Sequence, residues 1–273
     1  MSEIAHETPT PKTAQDAATS DKGFKLPDVA TIGFDAPIDW LKGGWADFQR
    51  APLPCLIYGI ALAAVSAFIG WGLVFSGQFA WVFVLAGGFF IIGPMAAMGL
   101  YEAGRMLEDG QTPTLSEMVF VKGAFRLDLA YLGLGLFVIY LLWTRIAQVV
   151  YALSTTTLHR SPAEFLTFMF TDPNGQVMAL SGTVIGAIIA FLAYAMVVVT
   201  APMLLDRKND VFVAVITSFR AVTRNFGPMV LWAFLITVLT ALGIATAFFG
   251  LIIVFPVLGL ASWRAYRTLV PGE

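Results

Sequence analysis

The sequence predicts an all-α, polytopic membrane protein with six transmembrane helices, arranged as three hairpins that are each preceded by an amphipathic surface helix. Of its 273 residues, 58% are hydrophobic and 12% are charged, and this charged fraction is about half that of a typical soluble domain. Long stretches without charge recur along the chain, and shorter polar stretches separate them. A stretch of about 20 apolar residues is long enough to cross the hydrocarbon core of a bilayer as a helix.

The first unit begins after a polar N-terminal segment. Residues 1–34 contain few large apolar side chains, so we expect a disordered cytoplasmic tail that cannot offset the entropy of ordering. The membrane domain is expected to cover residues 35–273. Its first element is a surface helix, Asp35–Arg50, which is too short and too charged to span a bilayer. Its apolar side chains recur every three or four positions: Ile38, Leu41, Trp45 and Phe48.

The first hairpin follows this surface helix. Pro54–Phe75 and Phe79–Tyr101 each supply about 20 apolar residues. Only residues 76–78, Ser-Gly-Gln, separate the two runs, so the chain must turn back directly. Pro94, which follows a glycine inside the second run, is expected to kink that helix.

The second unit begins with the polar stretch Glu102–Asp128. Thr114 and Glu117 match a capping box, in which each side chain bonds to a backbone amide at the start of a helix. We therefore expect a second surface helix after Thr114, although its apolar face is less regular than that of the first.

The second hairpin has a longer connection between its helices. Leu129–Leu153 and Val177–Leu205 are the third and fourth predicted spans. Between them, Ser161 starts a second capping-box pattern, and a short helix over Pro162–Phe170 is expected to lie in the headgroup layer. Pro202 stands near the end of the fourth span.

The third unit contains a surface helix over Val211–Arg224 and then about forty residues without charge. A single helix of that length would extend about 60 Å, twice the thickness of the hydrocarbon core. Gly250 offers a break, so we expect two spans, Pro228–Phe249 and Leu251–Arg267.

The three units cover about residues 35–101, 112–205 and 210–267, and their similarity indicates an internal repeat. Arg50 and Arg224 each lie four residues before a proline, whereas the middle unit lacks that proline. The second helix of each hairpin carries a proline late in its run. These prolines are candidate kinks, and they are open to interpretation either as hinges of a transporter or as tolerated packing features: Pro94, Pro202 and Pro256.

Positive charges predict the orientation of the chain. All but two of the 16 Lys and Arg residues fall in the tail, the C-terminus and the two connections on the same side. The exceptions are Arg145, inside the third span, and Arg160, in the opposite connection. By the positive-inside rule, both termini are expected to be cytoplasmic.

Arg145 is the main candidate for a binding residue because an arginine in a membrane span is costly and needs a partner. One interpretation is that it binds an anionic ligand, a lipid headgroup or another subunit, together with Thr144 and Gln148. The other is that its long side chain extends to the far interface and pairs with Glu164, Asp172 or a lipid phosphate.

Three further arginines close the polar stretches and are expected to contact lipid headgroups. Each lies at or near the end of a predicted surface helix, where a cation interacts favourably with the helix dipole and with lipid phosphates. An acidic protein partner is the alternative interpretation. The residues are Arg50, Arg126 and Arg224.

The sequence contains few residues that could support catalysis or bind a metal or haem. The two histidines, His6 and His159, lie outside the predicted spans, and Cys55 is the only cysteine. We therefore expect no catalytic residues, no metal site, no haem and no other cofactor. The net charge of −2 argues against a nucleic-acid partner.

The chain resembles a bacterial family of predicted integral membrane proteins of unknown function, whose members are sometimes labelled cytochrome c oxidase subunit I. A catalytic oxidase subunit needs several intramembrane histidines, and the predicted spans contain none. The resemblance extends from about Asp35 to the C-terminus and implies a bacterial inner (cytoplasmic) membrane protein. It is carried by Gly93-Pro94 through Leu100-Tyr101-Glu102, Ala201–Asp206, Ile216-Thr-Ser218, Asn225, Gly227-Pro228-Met229, Trp232 and Trp263-Arg-Ala-Tyr266.

Two functions are compatible with these features, and neither is enzymatic. The first is an accessory, assembly or stabilising subunit of a larger, for example respiratory, membrane complex. The second is a transporter or binding protein for a small solute or a lipid, which would use Arg145. The lipid bilayer is the expected partner in both cases, with other membrane subunits added in the first.

Overall fold

A computed structural model describes residues 26–121, 127–159, 161–207 and 210–272. Helices dominate these ranges, and none of the described residues lies in a β-strand. The prediction of an all-α protein is confirmed. In chain order, the helices are α1 Ala36–Arg50, α2 Pro52–Phe75, α3 Ala80–Ala96, α4 Met98–Glu108, α5 Leu115–Val119, α6 Leu127–Ser154, α7 Pro162–Thr171, α8 Pro173–Val197, α9 Thr200–Asp206, α10 Val211–Arg224, α11 Phe226–Ala245 and α12 Leu251–Leu269.

Four of the described helical segments are long and apolar enough to cross a membrane: α2, α6, α8 together with α9, and α11. The other two predicted spans differ from these for physical reasons. Helix α3 has 17 residues, about 26 Å at 1.5 Å per residue, and the chain is interrupted at Ala97 before α4 begins. Helix α12 carries Arg264 and Arg267 in its last turns, which lowers its apolar content.

The two short hairpin turns show how tertiary contacts set helix ends. The α2–α3 turn lies at residues 76–79 as predicted, and Gly77 has a φ of +73° there. The α11–α12 turn begins earlier than the predicted break at Gly250, because α11 already ends at Ala245. Ala247 and Phe248 have positive φ values of 53° and 72°, and the Phe248 ring lies against Gly70 of α2. This contact fixes the turn.

The fourth predicted span is interrupted rather than continuous. Helix α8 starts at Pro173, because the Asp172 side chain accepts a hydrogen bond from Asn174 N (2.8 Å), and it stops at Val197. Pro202 has no N–H to bond the carbonyl four residues earlier, which frees the backbone at this point. One residue along, Ser218 of α10 bridges another break in the helix: its hydroxyl accepts from Val199 N (3.2 Å) and donates to Ala195 O (2.7 Å), two groups that would bond each other in a continuous helix.

Helix α12 is the central helix of the described bundle. Buried side chains occur on all sides of it, as expected for a helix enclosed by others. Glycines permit this packing: Gly59 of α2 lies against the Ile252 carbonyl, where Pro256 removes the normal helical donor, and Gly44 of α1 lies against the backbone of α12 near Ala261. A Cβ atom at either glycine would collide with that backbone.

Helix α1 packs on the protein with only part of the predicted apolar stripe, because Phe48 is buried and Leu41 is half-buried against the core. The described structure leaves Ile38 and Trp45 of the predicted apolar stripe 38% and 45% exposed, whereas Asp47, assigned to the polar side, is 3% exposed. The reason is an ion pair: Arg264 Nη2 donates to Asp47 Oδ1 (2.8 Å) and its Nε donates to Oδ2. The exposed side chains of Ile38 and Trp45 remain available to the bilayer.

The last turns of α12 make further polar contacts with neighbouring helices. Glu108 at the end of α4 accepts from Trp263 Nε1 (3.0 Å) and from Arg267 Nε (3.0 Å). Asp206 at the end of α9 accepts from the Tyr266 hydroxyl (2.6 Å). These bonds join three parts of the chain at one end of the bundle.

The described part of the N-terminal segment is ordered, contrary to the disordered tail predicted for residues 1–34. Ala30 N donates to Leu269 O (2.8 Å). Asn225 accepts from Ile32 N (2.9 Å) and donates to Ala30 O (2.9 Å), so one amide side chain holds this segment. Residues 1–25 of the predicted tail lie outside the described residues.

The second surface helix is shorter than expected. Helix α5 covers five residues after Thr114, whose capping box with Glu117 is confirmed by both reciprocal bonds. Part of the predicted polar stretch instead belongs to α4, and a single residue, Ala97, separates α4 from α3. The remainder of the predicted surface helix, including residues 122–126, lies outside the described residues.

The ion pair of Asp47 predicts a measurable loss of stability. Replacing Asp47 with Ala removes the acceptor of two bonds from Arg264, and we expect the free energy of unfolding to fall by about 2 kcal/mol. Thermal unfolding of the purified protein in mild detergent measures the change.

Asp39→Ala is the matched control, because Asp39 lies on the same helix and its pair with Lys42 (3.6 Å) is largely exposed. Its effect should stay within about 0.5 kcal/mol. Equal unfolding temperatures for the two variants would contradict a structural role for the Asp47 pair.

Candidate ligand-binding cavity

A cavity of about 1480 Å³ lies between two groups of helices. Helices α3, α6 and α8 form one wall, and α11 and α12 form the other. Most of the lining side chains are apolar, and none of the described lining residues is Asp, Glu, Lys or Arg. The cavity is therefore suited to an apolar molecule or to the apolar part of an amphiphile.

Small residues on α3 and α8 give the first wall its shape. Gly87 of α3 and Gly186 of α8 both lie against the indole ring of Trp143 from α6. Trp143 Nε1 donates to Val84 O (2.9 Å), which fixes the ring between the helices. Many of the α8 residues that line the cavity are small and recur at helical spacing: Ala179, Gly182, Thr183, Gly186, Ala187 and Ala190.

Contacts between the two walls close one end of the cavity. The Tyr194 hydroxyl of α8 donates to Met229 O of α11 (2.9 Å), and Phe191 meets Phe226 edge-on at 6.0 Å. These contacts involve the last turns of α8 and the first turn of α11. They lie at the same end of the bundle as the polar contacts of α12.

The cavity is open at the side between α8 and α11. Val230 and Phe234 of α11 both line it, yet they are 39% and 60% exposed. In a protein that crosses a membrane, such an opening faces the acyl chains of the surrounding lipid.

The opposite end of the cavity is more polar and more aromatic. Ser76 and Gln78 from the α2–α3 turn, Gln148 and Tyr151 from α6, and His159 from the α6–α7 connection line it. Tyr151 Oη lies 3.1 Å from His159 Nδ1 and accepts a bond from His159 N (3.3 Å). We refer to these five residues as the polar mouth.

The three residues predicted to bind a ligand occupy different positions relative to the cavity. Arg145 is exposed, and its Nη1 donates to Gln148 Oε1 (3.1 Å). The Thr144 hydroxyl donates to Tyr140 O within its own helix (2.9 Å). Of the three, only Gln148 lines the cavity, and Arg145 lies next to it through the hydrogen bond.

The predicted headgroup arginines lie away from the cavity. Arg50 donates to Asp47 Oδ1 (3.4 Å) and to Leu107 O (3.0 Å), whereas Arg224 donates to Thr31 Oγ1 (3.1 Å). Both side chains thus make contacts within the protein, while Arg50 stays half exposed and Arg224 stays exposed. Arg126 lies outside the described residues.

The three predicted kink prolines differ in their surroundings. Pro94 lies inside α3, three residues before the interruption at Ala97, and it lines the cavity. Pro202 follows the interruption between α8 and α9. Helix α12 continues through Pro256 without interruption.

The sequence did not identify most of the cavity. Trp143, Tyr151 and His159 became candidates only through the structure: Trp143 contacts Val84, which is 59 positions away, and the contacts of Tyr151 and His159 depend on how the α6–α7 connection folds. One signal was available: the small residues of α8 recur on one face at helical spacing, which marks a close approach or a gap between helices. Among the described residues, no group of three His, Cys, Asp or Glu is placed to hold a metal ion.

Comparison with known proteins gives a match to the sequence model of a protein family. No curated protein and no solved structure was found to be similar to the chain. Residues 82–206, slightly less than half of the chain, match the sequence model of a family described as "Predicted integral membrane protein (DUF2189)". The resemblance noted from the sequence is confirmed over this region, which contains α4 to α9 and most of α3. Over residues 82–206, the chain is therefore similar to the DUF2189 family of predicted integral membrane proteins, a family of unknown function.

Proposed function

We propose that this integral membrane protein binds a lipid-like amphiphile in the cavity between α3, α6, α8, α11 and α12. The observation that carries the proposal is the shape of this cavity: it is large and mostly apolar, and it has a side opening between α8 and α11 and a polar mouth at one end. This corresponds to the lipid-binding or transporting function expected as an alternative from the sequence.

The size of the cavity favours a lipid over a small polar solute. Its volume of about 1480 Å³ exceeds the range of about 300–1,000 Å³ that is usual for drug-sized ligands. A small polar solute would also leave its hydrogen bonds unsatisfied along the apolar walls, at a free-energy cost. An acyl chain has no such groups.

The proposed binding site depends on a membrane arrangement that we infer from charge and helix length. In this arrangement, α3 with the start of α4, and α12, cross the bilayer beside the four longer helical segments, so that six spans form three hairpins. Both termini lie on the cytoplasmic side of a bacterial inner membrane. The polar mouth then opens at the opposite face, at the depth of the outer headgroups.

Cysteine accessibility tests this arrangement. Leu158 is 72% exposed beside the polar mouth, and Asp109 is 53% exposed just after α4. A membrane-impermeant maleimide should label Leu158→Cys in right-side-out spheroplasts, and it should label Asp109→Cys only after permeabilisation.

The native thiol should give little background in this experiment, because Cys55 is fully buried. Labelling of Asp109→Cys from outside, with Leu158→Cys protected, would reverse the proposed orientation.

Filling the cavity tests the proposed binding directly. Ala187 of α8 lines the cavity, so Ala187→Trp should occupy the space of an acyl chain and weaken binding of a dioleoyl phospholipid at least about tenfold, equivalent to 1.4 kcal/mol. Native mass spectrometry of the delipidated protein, titrated with that lipid, measures the change.

The control is Ile188→Trp, because Ile188 is 56% exposed and is not among the cavity-lining residues. It should keep the affinity of the unmodified protein. No saturable lipid binding to the unmodified protein, or the same affinity for all three proteins, would contradict the proposed function.

An accessory role in a larger membrane complex is a second candidate, favoured by the surroundings of Arg145. Its side chain is exposed on α6 between Leu142 and Val149, which are 55% and 56% exposed. A partner helix that brings a carboxylate to this face would compensate for the cost of an arginine in the membrane. This would make the protein a stabilising subunit, for example of a respiratory complex.

Replacing Arg145 with Leu distinguishes this role. The substitution should release a partner from the complex purified in mild detergent without lowering the unfolding temperature of the protein itself. Size separation with mass spectrometry of co-migrating proteins measures the loss, and Val149→Leu is the control on the same face. A protein that always migrates alone would contradict the accessory role.

A further inference from the structure

We propose that the polar mouth binds the phosphate group of a phospholipid and that Nε2 of His159 is its principal hydrogen-bond donor. This inference rests on the proposed lipid-binding function and specifies the headgroup. Its basis is the way in which Tyr151 and two aromatic rings hold His159 at the end of the cavity.

The hydrogen bonds of Tyr151 determine which imidazole nitrogen serves a ligand. The backbone N–H of His159 can only donate, so the Tyr151 oxygen accepts that bond (3.3 Å). The hydroxyl proton then has two acceptors within reach, His159 Nδ1 at 3.1 Å and Thr157 O at 3.3 Å. Our proposal assigns the hydroxyl proton to Nδ1, and in that arrangement neutral imidazole carries its own proton on Nε2.

Aromatic contacts fix the plane of the imidazole ring. His159 stacks on Phe168 of α7, with ring centres 4.4 Å apart and planes 21° apart. Phe165, which is 4% exposed, meets the same ring edge-on at 6.2 Å. The donor is therefore preorganised, so little side-chain entropy is lost when a ligand binds.

The remaining side chains of the mouth favour an acceptor group over a cation. Gln148 Oε1 already accepts from Arg145 (3.1 Å), so Gln148 retains its amide N–H donors for a ligand. Arg145 brings a positive charge next to the mouth. Since no described lining residue is acidic, a phosphate group, with its several acceptor oxygens and negative charge, is complementary to this set of donors.

The mouth must supply much of the selectivity because the apolar walls cannot. An acyl chain leaves one hydrocarbon environment for another when it moves from the bilayer into the cavity, so it gains little hydrophobic free energy. A charge-assisted hydrogen bond is stronger than one between neutral groups, and more so in a partly buried site. We therefore expect the headgroup to decide which lipids are retained.

Lipids with the same acyl chains and different headgroups test the inference. Delipidated protein in detergent is titrated with dioleoyl phosphatidylglycerol, with dioleoylglycerol, which lacks the phosphate, and with inorganic phosphate. Native mass spectrometry and thermal unfolding measure binding. We expect the unmodified protein to bind phosphatidylglycerol at least about tenfold more tightly than dioleoylglycerol, and inorganic phosphate to produce no shift.

Two variants isolate the histidine. His159→Ala should remove the preference for phosphatidylglycerol and leave the affinity for dioleoylglycerol unchanged, and Tyr151→Phe should reduce the preference while keeping its ring beside Phe165. Thr156→Ala is the control, because Thr156 is exposed in the same connection, and it should keep the full preference. An unchanged unfolding temperature without lipid confirms that the variants fold.

The outcomes separate this inference from the proposed function. Equal affinity for both lipids, or an undiminished preference in His159→Ala, overturns the phosphate site while lipid binding in the cavity stands. A shift with inorganic phosphate equal to that with phosphatidylglycerol overturns a lipid as the source of the phosphate. If neither lipid binds the unmodified protein, the proposed function itself is wrong.

Discussion

The ion pair between Asp47 and Arg264 is the interaction on which the described bundle most depends. It places a carboxylate that is 3% exposed against the last turns of a helix that is otherwise mostly buried. Removing either partner would leave the other charge without its closest counterion. The free-energy cost of that loss is larger than the net stabilisation that the ion pair provides relative to an apolar contact in its place. The pair thus selects the face of α1 that packs on α12, and Gly44 permits the close approach.

This polar end contrasts with the middle of the protein. At one end, Glu108 and Asp206 join α4 and α9 to α12 through hydrogen bonds. Farther along the helices, small residues of α8 face α11 across open space rather than contact it. Because the two groups of helices are joined at one end and stand apart farther along, a cavity with an opening at the side lies between them. In the proposed function, an acyl chain enters this opening directly from the bilayer.

A binding site in a membrane must obtain its specificity differently from one in water. Because the surrounding lipid is as apolar as the cavity wall, packing and hydrogen bonds replace the hydrophobic effect as the source of preference. The polar mouth supplies donors where the headgroups are expected to lie. Arg145 does not itself line the cavity, but its hydrogen bond to Gln148 places it beside the polar mouth.

The sequence by itself determined the helical class, the apolar segments and the capping box at Thr114, because composition, periodicity and caps are properties of neighbouring residues. It located the α2–α3 turn, where Ser-Gly-Gln must reverse the chain. Only the tertiary structure decided that Asp47 is buried, that α11 ends at Ala245 and that His159 lines a cavity. The first two depend on residues distant in sequence, Arg264 and Gly70, and the third depends on how the α6–α7 connection folds back between Tyr151 and the α7 aromatic rings. Local patterns carry no information about such partners, because burial and pairing are set by packing between helices.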